Sequence, residues 1–222
     1  MGHMTKYHPH DYLPATGHPA LLPAYDLMSR LTGFNSVYRK LIEQAELTDG
    51  QRVLEIGCGT GNVIISAKRS RPGLEAVGSD PDPRILDRAR RKAAGLSDIR
   101  FDEAYAQRLP YADGEFDRVL SSMMLHHVGG DAKAEVAAEI FRVLRPGGRL
   151  HLVDISGDAH VHRGLLARLA KLAKRNPHFS ENIGNAIPRL LSEAGLECTR
   201  VATHSQRLVG QLAYYQAVRP QR

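Results

Sequence analysis

The chain has 222 residues, 42% hydrophobic and 24% charged, the make-up of a globular protein able to close one sizeable core, which excludes a fibre or a disordered tail. No apolar run approaches the roughly 20 residues needed to cross a bilayer, and the first residues lack the basic-then-apolar layout of a secretion signal, so the expected location is cytoplasmic. Lys and Arg outnumber Asp and Glu by 30 to 24, a formal charge of +6, but the excess is spread over Arg69 to Arg71, Arg84 to Lys92 and Arg163 to Arg175 at helical spacing, which reads as solvated helix faces rather than a nucleic-acid track.

Met1-Gly2-His3-Met4 carries a second start methionine and reads as a cloning remnant, and residues 5–19 are polar and rich in proline and histidine. A helical stretch from Ala20 to Ala45, broken near Thr32-Gly33-Phe34, follows as an N-terminal cap. The expected division is therefore 1–49, remnant and helical cap, and 50–222, the binding core of what is a single domain overall. From Arg52 onward β-like runs (Arg52 to Ile56, Glu75 to Ser79, Ile99 to Ala104, Arg118 to Met123, Arg149 to Asp154) alternate with helical ones (Asn62 to Arg71, Arg84 to Ala94, Ala132 to Leu144). Such alternation predicts an α/β fold with a doubly wound, mostly parallel sheet. Beyond it come an amphipathic helix at Arg163 to Arg175 and a second helix at Ile187 to Ala194, stopped by Gly195. Two strand-like runs, Glu197 to His204 and Gln211 to Val218, are expected to pair as an antiparallel hairpin at the sheet edge.

Cys58 and Cys198 are far apart and belong to no Cys/His cluster, so neither a disulfide framework nor a metal site is expected. His151, His160 and His162 lack metal spacing and are expected as surface and loop histidines. The chain carries no GxSxG turn, no HExxH and no paired carboxylates spaced for glycoside hydrolysis.

The sharpest signal is Val53-Leu54-Glu55-Ile56-Gly57-Cys58-Gly59-Thr60-Gly61-Asn62, an apolar strand that runs into glycines and then a helix. Glycines there let the backbone turn tightly and let a nucleotide-like ligand lie against bare N–H and C=O groups. The spacing is GxGxG, with Asn62 where the dinucleotide fingerprint has its last glycine, which argues against an NAD-dependent dehydrogenase. Glu55 suits a ligand with an ammonium or sulfonium group better than a pyrophosphate.

This decade resembles motif I of the class I S-adenosylmethionine-dependent methyltransferases, whose fold is Rossmann-like, and the resemblance continues in order through residues 50 to 155. Asp80 ends the second strand in Val77-Gly78-Ser79-Asp80-Pro81, where the family places a carboxylate on the ribose; the alternative is an N-cap for the helix starting near Pro83. Ala106-Gln107-Arg108-Leu109-Pro110-Tyr111 with Gly114-Glu115-Phe116-Asp117-Arg118-Val119, then Leu125-His126-His127-Val128 and Leu144-Arg145-Pro146-Gly147-Gly148, are similar to the ubiquinone-biosynthesis-like branch. The chain departs at Tyr105, where the family usually has an acidic adenine contact; Ala106 and Gln107, or stacking on Tyr105, are left to hold the base.

The resemblance implies S-adenosyl-L-methionine as cofactor, bound by Tyr25, Glu55, Gly57, Gly59, Gly61, Asp80, Pro81, Ala106, Gln107 and Ser121; Tyr38 is a second tyrosine candidate in the cap. It implies a small-molecule acceptor, with RNA or protein methylation, or cofactor binding without catalysis, as alternatives. Ser121-Ser122-Met123-Met124 replaces the D/N-P-P-Y/F run of amine-methylating enzymes that act on nucleobases. His126 and His127, where the fourth strand ends, are the candidate general bases; the alternative is that they cap the turn or pack behind the cofactor. Arg163 to Arg175 fits a lid over the acceptor or a peripheral contact with a membrane.

Overall fold

The computed structural model describes residues 33–156, 185–206 and 210–221. The first part of the predicted cap, with Tyr25, and the predicted helix Arg163 to Arg175, with His160 and His162, lie outside the described residues. Strands β1 (Arg52–Ile56), β2 (Glu75–Asp80), β3 (Ile99–Glu103), β4 (Phe116–Ser122), β5 (Leu144–Ile155), β6 (Glu197–Gln206) and β7 (Gly210–Val218) form one sheet in the order β3-β2-β1-β4-β5-β7-β6. Helices α1 (Phe34–Gln44), α2 (Asn62–Ser70), α3 (Pro83–Lys92), α4 (Gly130–Val143) and α5 (Ala186–Glu193) accompany it. The pairs β1·β2, β2·β3, β1·β4 and β4·β5 are parallel, whereas β7 runs antiparallel to both β5 and β6. The doubly wound sheet and the antiparallel edge hairpin expected from the sequence are both present.

Strand periodicity explains the two layers. Leu54, Val77, Val119, Leu152 and Ala213 share one core with Val136 and Ile140 of α4 and Leu191 of α5. Their neighbours Val53, Ala76, Leu120, Val153 and Tyr214 face the opposite core, with Val37 and Leu41 of α1, Ile64 of α2 and Leu86 of α3. Side chains that alternate faces at every residue bury both faces of a central strand, which is why β1 is buried from Val53 to Ile56, apolar there except for Glu55. Edge strand β6 instead alternates exposed and half-buried residues over most of its length.

The starts of β4 and β5 differ most from expectation. β4 begins at Phe116, whose fully buried ring pairs with Leu144 before the register shifts to Arg118 opposite Arg149. The Pro146-Gly147-Gly148 turn absorbs that shift, and the Arg219 N–H and C=O bond Gly148 and Gly147 there. His151 is also not a surface residue: it is fully buried on β5, and neither ring nitrogen has a hydrogen-bond partner.

Because β1 winds toward β2 and β3 on one side and is followed by β4 and β5 on the other, the strand order reverses between β1 and β4. A crevice opens at the carboxyl ends of such strands, and there the residues after β1 meet those after β4.

Candidate active site

The glycine turn is built for three different reasons. At Gly57 (φ 69°) an added Cβ would lie 2.3 Å from Met124 Cγ, so the turn after β1 packs directly on the turn after β4. A Cβ at Gly61 would meet Ile65, Phe101 and Ala89 within 3.2 Å, so this glycine closes the helix–sheet packing and does not line the cleft. At Gly59 (φ 52°) a Cβ would meet nothing within 4 Å, and the residue lines the cleft, leaving bare backbone against open space.

Two carboxylates face the same cleft. Glu55, 2% exposed, accepts the Ile64 N–H from the first turn of α2 at 2.8 Å. Burial pushes its pKa up from 4.5 to about 8, with the Asp80 carboxylate adding to the rise and the Ile64 bond and Lys92 opposing it. Asp80 accepts the Gly59 N–H at 3.0 Å and the Asp82 N–H at 3.0 Å, and its pKa is raised, by burial above all. The N-cap of α3 is Asp82, which accepts the Arg84 N–H at 2.9 Å just ahead of Pro83. Asp80 is thus released from the capping alternative and points at the glycine turn.

The far wall is the segment after β3, where Ala104, Tyr105, Ala106 and Gln107 line the cleft together with Pro81. Tyr38 of α1 lines it as well, which makes this tyrosine the described representative of the cap.

At the end of β4 the chain departs from ordinary strand geometry. Ser121 is fully buried and donates to the Ile56 carbonyl at 3.2 Å, tying β4 to β1 without reaching the cleft. Ser122 lines the cleft in its place, followed by Met123 in the left-handed region at φ 57° and then by Met124. Positive φ on a methionine is costly backbone, and it re-aims the chain into a 3-10 turn at Leu125–His127. His127 lines the cleft, whereas buried His126 does not; His126 Nδ1 lies 2.7 Å from Asp154 Oδ1 on β5, and the two histidine rings are 4.1 Å apart. Burial, with His126 beside it, pulls the pKa of His127 down to about 4, so its imidazole is neutral near pH 7. Sequence reasoning missed Ser122, Asp154 and the Gly57–Met124 contact. The one signal for Asp154 was a carboxylate near the carboxyl end of a central strand.

Residues 53–148 match the methyltransferase domain family. The chain is 37% identical over 154 residues to a demethylmenaquinone methyltransferase of Deinococcus radiodurans, covering 68% of this chain and 63% of that protein. It is 35% identical over 153 residues to the demethylmenaquinone methyltransferase of Thermus thermophilus, covering 67% and 69%. The chain belongs to the class I S-adenosylmethionine-dependent methyltransferases, in their ubiquinone-biosynthesis-like branch. The methyltransferase spans slightly less than two thirds of the length of the Deinococcus relative. Its fold is shared with a SAM-dependent methyltransferase from Aquifex aeolicus, at a TM-score of 0.68 and 18% identity over 92% of this chain and all of that one.

S-adenosylmethionine is the cofactor of this family, and the site of this methyltransferase fits it. The open Gly59 backbone leaves a cradle that any side chain would fill, and two buried carboxylates flank it. Ser122 Oγ and His127 Nδ1, both shielded from solvent on residues that line the cleft, have no hydrogen-bond partner. Among the described residues no group of His, Cys, Asp or Glu is placed to hold a metal ion.

Proposed function

We propose that this methyltransferase catalyses S-adenosylmethionine-dependent methyl transfer to a small-molecule acceptor seated over the carboxyl ends of β1 and β4. The observation that carries this reading is the facing of Glu55, Asp80 and the bare Gly59 turn by an apolar, histidine-bearing wall across one cleft. Asp80 would accept from the ribose hydroxyls, Tyr105, Ala106 and Gln107 would flank the adenine, and Glu55 would face the charged amino-acid end. The cofactor supplies a methyl group on a sulfonium, already an excellent leaving group, so orientation and exclusion of water are what remains for the protein to contribute.

His127, on the cleft wall and neutral near pH 7, has a lone pair to offer the acceptor's proton, although burial makes it a weaker base than an ordinary imidazole, while His126, fixed by Asp154, acts through it as a positioning residue. Met123, Met124 and Val128 give the acceptor end an apolar wall, which suits an aromatic ring. The names of the two relatives point the same way, toward a quinol-type ring. Residues 1–49 would cap the site built on 50–222. Among the described residues no helix is long and apolar enough to cross a membrane, and we read the protein as cytoplasmic, with peripheral membrane contact at most and no nucleic-acid partner.

Calorimetric titration with S-adenosylhomocysteine, with NAD in parallel, tests the cofactor assignment. Micromolar-range binding of the former alone, abolished by Asp80→Ala, supports it, and binding of NAD alone overturns it. Incubation with S-adenosylmethionine and a short-chain demethylmenaquinol, followed by mass spectrometry, then tests the acceptor class.

A further inference from the structure

The cleft wall that follows β3 belongs to no helix or strand, and the side chains that fix it lie outside the cleft. At its start the Ala104 N–H donates to the Asp80 carbonyl at 3.2 Å, and the Arg108 N–H closes a turn on the Tyr105 carbonyl at 3.0 Å. At its end Glu139 and Arg142, one turn apart on α4, grip Leu109 by its N–H and its C=O. The N–H donates to Glu139 Oε2 at 2.7 Å, and Arg142 Nη2 donates to the C=O at 3.1 Å. The two side chains also pair with each other, Nε to Oε1 at 2.6 Å and Nη2 to Oε2 at 2.8 Å, while Arg142 Nη1 donates to the Tyr111 carbonyl at 2.7 Å and to Asp113 Oδ1 at 2.8 Å. A forked pair of this kind fixes direction as well as distance. Neither residue lines the cleft, whereas Ala106 and Gln107, which do, make no hydrogen bond to any described residue.

We propose that Glu139 and Arg142 are positioning residues of the cofactor site, a clasp outside the cleft that holds Ala106 and Gln107 against the base of the cofactor and sets the preference for adenine. The inference rests on the methyltransferase reading of the cleft. Adenine offers an amino donor beside a ring-nitrogen acceptor, and its 6-oxo counterpart, hypoxanthine, offers the reverse. The Gln107 carboxamide carries both a donor and an acceptor and fits either edge after a half-turn, so it does not discriminate alone. The peptide groups of the wall have a fixed order of N–H and C=O, and a site built of such groups rejects the wrong edge by leaving it unpaired. That rejection lasts only while the backbone is locked from behind. With Leu109 held by its N–H and its C=O, Ala106 and Gln107 lie between two anchors, the Asp80 carbonyl and the clasp. Without the clasp the wall keeps its residues and loses its register, and either base finds partners equally well.

The test titrates S-adenosylhomocysteine and S-inosylhomocysteine, which differ only at the base, into the full chain by calorimetry. The wild type is expected to prefer the adenine compound by about tenfold, the scale of one net hydrogen bond. Glu139→Gln and Arg142→Lys keep long polar side chains but break the fork, and each brings the preference close to unity while weakening S-adenosylhomocysteine binding. Leu191→Ala, which opens a cavity in the core shared with α4, is the control for lost stability: it melts lower and keeps the wild-type preference. Equal binding of the two compounds by the wild type overturns the clasp. So do Glu139→Gln and Arg142→Lys proteins that melt lower with the preference intact, since the pair then serves the fold alone. A Leu191→Ala protein that loses the preference overturns it too, because the preference then follows stability and not the clasp. Failure of the wild type to bind S-adenosylhomocysteine at all strikes instead at the methyltransferase reading.

Discussion

His126 and Asp154 form a fully internal pair: Nδ1 of the imidazole lies 2.7 Å from Oδ1 of the carboxylate, whose oxygens also accept the His126 N–H at 3.3 Å and the Ile155 N–H at 2.7 Å. Burial alone would raise the Asp154 pKa, but the His126 ring and these bonds outweigh it and hold the carboxyl below its ordinary range. Removing the carboxylate strands a buried imidazole, so Asp154→Ala is expected to lose about 3–5 kcal/mol of stability in denaturant titration. Asp154→Asn keeps the shape and an acceptor oxygen and should lose much less, with S-adenosylhomocysteine affinity unchanged and turnover reduced. Equal stability losses in the two variants would show that the charge, which both lack, carries the stability and that the shape and acceptor oxygen kept by asparagine do not.

Glu55 sets a pH dependence of the opposite sense to a normal carboxylate. Its folded pKa, about 8, lies above the ordinary 4.5, so between those limits the unfolded chain ionises while the folded one keeps its proton. The stability that Glu55 contributes is present below pH 4.5 and is lost as pH rises toward 8, by up to about 4 kcal/mol. Glu55→Gln should flatten this slope and be the more stable protein at pH 9, where the native carboxylate is forced to charge in a buried site. The variant should also bind S-adenosylmethionine more weakly than the wild type above pH 8, where the missing negative charge would face the sulfonium and ammonium groups. Chemical denaturation at pH 5, 7 and 9 with and without cofactor checks both arms.

Much of this cleft was legible before any coordinates, and the reason is local. The β1 run, the GxGxG turn and the carboxylate at the end of β2 are each fixed by neighbours in sequence, and Glu55, Gly59 and Asp80, which periodicity and turn chemistry single out, all line the cleft. The choices that sequence left open, or resolved toward the core side, turn on local geometry. Ser121 and Ser122 are equivalent by composition, and His126 and His127 equally so. Alternation at the end of β4 turns Ser121 inward and leaves Ser122 on the cleft, and after the left-handed turn at Met123 the 3-10 turn leaves His127 on the cleft and His126 buried. Asp154 pairs with His126 across β5 and the turn after β4, a tertiary contact that no spacing rule encodes. Gly61 looked like part of the ligand cradle because it completes the motif, yet its neighbours Ile65, Phe101 and Ala89 come from three separate elements.

His151 contributes an acid-labile element away from the site. Burial, with Arg118 and Arg149 nearby, lowers its pKa from 6.5 to about 4, so the folded protein excludes a proton that the unfolded chain takes up in that window. The associated stability is present above pH 6.5 and lost as pH falls toward 4, by roughly 3 kcal/mol. His151→Leu removes both the proton uptake and two unpartnered nitrogens, and is expected to stabilise the protein at pH 5 by more than at pH 8. A stability loss at both pH values would mean that the imidazole makes a bond that the fold depends on.

The glycine turn separates folding from binding at positions two residues apart. Gly57→Ala drives a methyl group into Met124 Cγ at 2.3 Å while holding alanine at φ 69°, so both overpacking and backbone strain fall on the fold. Each term is about 1–3 kcal/mol, and the variant should be markedly less stable. Gly59→Ala meets nothing within 4 Å and suffers only the strain of φ 52°, on the order of 1–2 kcal/mol. Its methyl group instead occupies the cradle beside Asp80, so the stability loss should be the smaller of the two and the loss of S-adenosylhomocysteine affinity the larger. Paired denaturant and calorimetric titrations of the two variants read the two quantities independently. A Gly59→Ala protein that binds the cofactor product as tightly as wild type would move the ligand away from this turn, and the roles of Glu55 and Asp80 would have to move with it.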